Sequence, residues 1–111
     1  MHIDFKFRNL ESSDAIKTYA IDKLAKLQKY LRMPLDAQIT FSLERHLHCV
    51  DVHLTADGEH HQGRVEEADM YASIDLVVDK IQRQLNRSKD LHRSNHRRGP
   101  SPSDSPGESG E

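Results

Sequence analysis

The sequence predicts an α+β fold in two layers, a four-stranded sheet with two helices on one face, in the order β-α-β-β-β-α. Three observations carry that expectation. Four segments alternate apolar and polar residues with the period of a strand. Two others repeat apolar residues every three or four positions, as amphipathic helices do. Each strand is apolar on one side only, so the helices must share a face and leave the other to water.

The first strand is "HIDFKFR", with Ile3, Phe5 and Phe7 on one side and His2, Asp4, Lys6 and Arg8 on the other. After the turn "NLESSD", Ser12 or Ser13 can cap a helix, and Asp14 in its first turn complements the backbone dipole. That helix turns Ile16, Ala20, Leu24, Leu27 and Leu31 toward a core, and Pro34 stops it. In "DAQITFSLER" the inward residues are Ala37, Ile39, Phe41 and Leu43. A polar corner from Arg45 to His48 leads into "CVDVHLTA", where Val50, Val52, Leu54 and Ala56 share a face. Asp57-Gly58 marks a two-residue hairpin, because both central positions of such a turn take positive φ. The fourth strand, "EHHQGRVEE", is the least apolar and is placed at an edge. The last helix starts near Ala68 or Asp69 and buries Met70, Ile74, Val77, Val78, Ile81 and Leu85, and its pattern fades beyond Arg93.

With 111 residues the chain can bury one modest core. Residues 1–96 are expected to form that domain. Residues 97–111, ending in the Pro/Ser/Gly-rich "GPSPSDSPGESGE" without an apolar side chain, are expected to be a disordered tail. No apolar run approaches the length that spans a bilayer, and the N-terminus carries no secretory h-region. The lone Cys49 cannot bridge within the chain, in keeping with a reducing compartment. These features predict a cytoplasmic protein.

Formal charge is only −2, but it is unevenly spread. From Lys80 to Arg98 seven bases meet one acid, Asp90, and from Lys17 to Arg32 five bases meet Asp22, so these blocks carry +6 and +4. A chain so polarised can turn a cationic face to a polyanion while staying soluble. In the last helix Lys80, Arg83 and Arg87 recur at i, i+3, i+7; in the first, Lys23, Lys26 and Tyr30 do the same with Lys29 beside them. If the helices pack side by side, the two rows are expected to border a shared groove. Basic residues near a helix C-terminus are also favoured by the dipole, so one row alone would be an ordinary solvated face. Two rows on one layer, continuing into "HRSNHRR", point to nucleic acid.

The stretch "DMYASIDLVVDKIQRQL", with "IDKLAKLQKYL" in the first helix and the β-α-β-β-β-α order, resembles the ribosome hibernation promoting factor and ribosome-associated inhibitor family of bacteria in its short form. The likeness covers about residues 1 to 93. It implies a fold similar to double-stranded RNA-binding domains. It also implies binding to the small ribosomal subunit between head and body, in the channel of messenger RNA and the A- and P-site tRNA. Such a protein stabilises inactive 70S ribosomes and inhibits translation in stress or stationary phase, with no small-molecule substrate, and is a monomer off the ribosome. The resemblance implies that Lys23, Lys26, Lys80, Arg83 and Arg87 contact rRNA, with Lys29, Tyr30, Gln84 and Lys89 as further candidates. Here "NRSKDLHR" inserts Asp90 where the family continues in alternating lysines. The tail is intermediate between the branch that supports ribosome dimers and the branch that keeps monomers.

Two other function classes fit parts of the sequence. An RNA-binding or RNA-chaperone module with no preference for ribosomes shares every electrostatic feature above. A metal module is suggested by His46, His48, Cys49, His53, His60 and His61, of which Cys49, His53 and one of the last pair could converge on neighbouring strands. That spacing matches no closed zinc site, so no metal and no cofactor are expected. Asp69, Tyr71 and Asp75 open the last helix. Asp69 reads as a cap, and Tyr71 as packing across the helix–sheet boundary. There is no Gly-rich phosphate loop and no nucleophile with a placed base, so no enzyme is expected.

Overall fold

A computed structural model describes the backbone of residues 1–97 and the side chains of residues 1–88. Its elements are β1 (His2–Arg8), α1 (Asp14–Gln28), β2 (Asp36–Glu44), β3 (Leu47–Ala56), β4 (Glu59–Glu67) and α2 (Met70–Arg97). One four-stranded sheet runs in the order β1-β2-β3-β4. β1 pairs parallel to β2, Phe5 beside Ile39, while β2–β3 and β3–β4 are antiparallel hairpins with Phe41 beside Val50 and Val50 beside Val65. The parallel pair requires a crossover, and α1 supplies it. The tail expected beyond residue 96 falls almost wholly outside the described residues.

The alternation seen in the sequence sets the register. Ala37, Ile39, Phe41, Val50, Val52, Leu54, Ala56 and Val65 are buried beneath the helices, with Leu43 only half-buried. α1 contributes Ala20, Leu24 and Leu27, and α2 contributes Met70, Ile74, Val77, Ile81 and Leu85, with Val78 half-buried. Phe5 and Phe7 stack on Phe41 with centroids 6.0 and 5.0 Å away, and the Lys17 ammonium lies 5.9 Å from each of the two outer rings. Lys17 therefore covers the β1 side of the core.

Local chemistry ends each element where it does. Ser13 caps α1, its Oγ accepting from the Ile16 amide at 3.2 Å. Asp69 caps α2, its carboxylate accepting from the Ala72 amide at 2.9 Å. Asp57 and Gly58 take φ of 49° and 84°, as the two-residue turn requires. The Asp57 carboxylate also accepts from the amides of Arg32 and Met33, tying the hairpin tip to the segment after α1. The β2–β3 corner is tighter than expected. Arg45 takes φ of 61°, so β3 begins at Leu47, two residues before the predicted strand.

Buried polar contacts set the height of α2 over the sheet. Ser73, fully buried, donates to the His48 carbonyl at 2.7 Å. Further along, a Cβ built on Gly63 of β4 would lie 3.1 Å from Val77 and 3.4 Å from Ile81. The missing side chain is what lets α2 sit close to the edge strand. Gly63→Val is therefore expected to lift α2 and destabilise the fold by roughly 1–3 kcal/mol, read from the urea midpoint.

Candidate nucleic-acid interface

The apolar stripe of α2 faces the sheet, and at about 100° per residue its remaining positions fall on two flanks and a crest. Toward α1 lie Tyr71 and Asp75. The Tyr71 ring meets that of Tyr19 edge-on at 4.9 Å, so Tyr71 packs on α1 and not across the helix–sheet boundary as the sequence suggested. Asp75 Oδ1 accepts from the Tyr19 hydroxyl at 2.7 Å and pairs with Lys23 Nζ at 3.2 Å, while that ammonium sits 5.2 Å from the Tyr19 ring. The Tyr19 hydrogen bond, then Lys23, holds the Asp75 carboxyl below the ordinary aspartate range. In return the bond to Asp75 pushes both the Tyr19 phenol and the Lys23 ammonium up.

The other flank of α2 faces β4. Lys80 Nζ donates to the Arg64 carbonyl at 3.1 Å, and Gln84 Nε2 donates to the Gln62 carbonyl at 2.8 Å. Those two carbonyls belong to an edge strand, and capping them hides hydrogen-bonding groups that would otherwise invite another chain. Gln84 Oε1 lies 3.2 Å from His61 Nδ1, and Ser88 Oγ donates to Glu59. A groove of about 480 Å³ runs along this seam, walled by Arg64, Lys80, Arg83, Gln84 and Arg87. Arg83, at the crest, pairs with Asp79 one turn earlier.

The predicted site residues thus divide. Lys80, Arg83, Gln84 and Arg87 come together along the α2–β4 groove. Lys23 lies in the cleft between the helices, and Lys26 acts on Asp75 from the same side. Lys29 and Tyr30 follow the end of α1, with Tyr30 59% exposed. Lys89 is a helical residue whose side chain is outside the described ones. The expectation of one shared groove is corrected: the body of α2 separates the α1 cations from the Lys80–Arg87 row. The reason is the rotation of α2, which turns an acid, Asp75, toward α1. Two residues absent from the predicted set matter here. Arg64 borders the groove from β4 through its carbonyl, its guanidinium being turned to the acids of the open face, and Tyr19 lies one turn before Lys23 on the flank that carries Lys26 and Tyr30. Their positions in the strand and helix repeats were the available signal.

The His and Cys residues that could have converged on neighbouring strands do not do so. His60 pairs with Thr55, one row beyond His53, while His61 pairs with Leu54 and turns to the helix face. Cys49 sits four residues before His53, packed beside buried Ser42 on the sheet's open face and 1% exposed. Its sulfur lies within 4.8 Å of carboxylate oxygens from Glu44 and Glu66. Arg64 spans both acids, 3.0 Å from Glu66 and 3.7 Å from Glu44, so the cluster already has its counter-charge. Burial, chiefly, pushes the Cys49 thiol up, away from the reactive thiolate. Among the described residues no helix is long and apolar enough to cross a membrane.

The chain and its fold have relatives among known proteins. The model of the family described as sigma 54 modulation protein / S30EA ribosomal protein covers residues 3–93. A ribosome hibernation promoting factor of Salmonella typhimurium is 32% identical over 90 residues, 81% of this chain and 95% of the relative. The Protein Y N-terminal domain of Thermus thermophilus superposes with a TM-score of 0.73 at 32% identity, covering 79% of this chain and 99% of that one. A ribosomal subunit interface protein from Coxiella burnetii, 23% identical, shares the fold with a TM-score of 0.70 over 81% of this chain.

Folding lowers the Asp75 pKa, so its contribution is complete above the unfolded value near 4 and is lost as pH falls through the lower folded value. Asp75→Asn is expected to lower stability at pH 7 by about 1 kcal/mol, a figure already reduced for solvent screening. Urea midpoints of the two proteins should converge below about pH 4.

Proposed function

The chain belongs to the family described as sigma 54 modulation protein / S30EA ribosomal protein, and on that premise we propose that it is a ribosome hibernation factor that docks on rRNA of the small subunit. The observation that carries this reading is the α2–β4 groove, where Lys80, Arg83 and Arg87 line the helix wall opposite the backbone of Gln62, Gly63 and Arg64 in β4. Rows of long cations over a shallow cleft suit a phosphate backbone better than a small enclosed anion. The hibernation promoting factor from Salmonella, covered over 95% of its length, supports assigning the same role here.

The mechanism is occupancy. Binding between head and body of the small subunit fills the channel of messenger RNA and tRNA, excludes those ligands by volume and holds the ribosome idle. No bond is made or broken, and affinity and abundance set the output. The protein acts where ribosomes are, in the cytoplasm, under starvation or in stationary phase.

On this reading the cations have different tasks. Lys80, Arg83 and Arg87 contact phosphates along the groove. Lys26 reaches the same polyanion from α1, beyond the inter-helix cleft. Lys23 enters at a cost, because Asp75 already compensates its charge, and it serves first to join the helices. Gln84 holds the edge strand and approaches the backbone only at its margin. Lys29, Tyr30 and Lys89 extend the contact at the helix ends.

Each cation that neutralises a phosphate contributes roughly 0.7–0.9 to the log–log salt slope. Co-sedimentation of Lys80→Ala/Arg83→Ala with small subunits across a salt series should show weaker binding and a slope flatter by roughly 1.4–1.8. Undiminished binding with an unchanged slope would remove the groove from the interface.

A further inference from the structure

We propose that the free edge of β4 is a main-chain phosphate track: the outward amide N–H groups of Gln62 and Arg64 donate to neighbouring phosphates of one RNA strand lying in the α2–β4 groove. The proposal rests on the reading of the protein as an rRNA binder and names a second set of contacts within it, carried by the backbone.

Two independent observations turn those amides outward. In a two-residue hairpin the residues flanking the turn bond to one another, and from there bonded and unbonded pairs alternate along the strands. The turn here is Asp57-Gly58, and the flanking pair is Ala56 and Glu59. Glu59, His61, Gly63 and Val65 therefore face β3, while Gln62 and Arg64 turn N–H and C=O alike to the free edge. The second observation is that Gln84 and Lys80 of α2 reach the carbonyls of those same two residues. Four residues of helix advance about 6 Å and two of strand about 6.7 Å, so the caps keep step with the outward residues. Among the described residues no side chain accepts from the amides of Gln62 and Arg64.

A neighbouring strand would offer this edge donors and acceptors by turns. Lys80 and Gln84 already supply the donors, so the edge lacks acceptors alone. The groove beside it holds Lys80 and Arg87, with Arg83 shared with Asp79, and has no acid among its lining residues. Acceptors that carry negative charge and repeat along a chain are phosphodiesters, and a sheet edge is one of the places where backbone amides hold anions. The two amides, about 6.7 Å apart, are spaced for neighbouring phosphates of one strand. Lys80, with three donors on its ammonium, can keep its carbonyl and meet the same phosphate as the Arg64 amide. A peptide strand, which brings donors of its own, fits this edge poorly.

The test is amide-resolved NMR of the wild-type protein titrated with a short oligouridine at low salt. The amide protons of Gln62 and Arg64 should move downfield and become protected from hydrogen exchange, while those of Gly63 and Val65, bonded to β3, should barely move. Gln62→Pro removes one N–H and keeps the carbonyl, a change an edge strand tolerates where the N–H faces outward. It should weaken oligouridine binding about 10-fold with the salt slope unchanged, because a hydrogen bond to an anion is lost and no charge is. Gln62→Ala, which changes only a side chain on the open face, should stay within about 2-fold of the wild type. The alternation in the wild type decides the matter even where Gln62→Pro does not fold. No binding of the oligouridine, shifts of equal size along the strand, or the same loss in Gln62→Ala as in Gln62→Pro overturns the track. Co-sedimentation of the wild type with small subunits separates the two readings. Alternating shifts without sedimentation uphold the track and reject the ribosomal role, and sedimentation without alternating shifts rejects the track alone.

Discussion

The rotation of α2 about its own axis is the constraint on which the rest of this structure depends. Met70, Ile74, Val77, Ile81 and Leu85 must face the sheet, and with that stripe buried no other residue of the helix has a choice of side. Tyr71 and Asp75 are carried toward α1, Lys80 and Gln84 toward β4, and Asp79 and Arg83 to the crest. Gly63 lets the stripe approach the edge strand, while Ser73 fixes its start against the His48 carbonyl. A single hydrophobic pattern therefore determines which cations meet solvent, which carbonyls are capped and which acid joins the helices.

Charge in this protein is arranged in two tiers. Asp75, with the Tyr19 hydroxyl, takes up Lys23, and Asp79 takes up Arg83, so part of the apparent +10 of the two basic blocks is compensated before any ligand arrives. Lys80 is also committed, though to a backbone carbonyl that water can replace when the ammonium turns to a phosphate. What remains for a polyanion is a narrow strip along the α2–β4 seam with an outlying cation on α1. The open face of the sheet is different in character: Arg64 ties together Glu44, Asp51 and Glu66 over a buried cysteine, giving a mixed surface with no row of one sign.

The architecture was legible in the sequence because it rests on periodicity. Alternation in "HIDFKFR" and "DAQITFSLER", the Asp57-Gly58 turn and the apolar stripe of the last helix each have one physical reading, and strand order and helix faces follow from them. Which side of a helix each flank faces is a different kind of information. It depends on where the neighbouring helix lies, and no period reports that, so the shared groove expected from two similar rows became two separate clefts. Tyr19 and Ser73 passed unnoticed for a related reason: each acts through a partner distant in sequence, Asp75 and His48. Cys49 and Ser42 were placed outward by alternation, correctly as to face. The structure shows that the open face still buries them under the longer side chains of its neighbours.

Amine footprinting of the protein on and off purified small subunits tests the central claim most directly, because it asks which face is covered. Lys80 on the groove and Lys26 on the helix layer should lose reactivity toward an acetylating reagent when subunits are present. Lys6, exposed on the open face of β1, should keep it. Protection of Lys6 with Lys80 and Lys26 left reactive would contradict the account, since the sheet and not the second helix would then face the RNA.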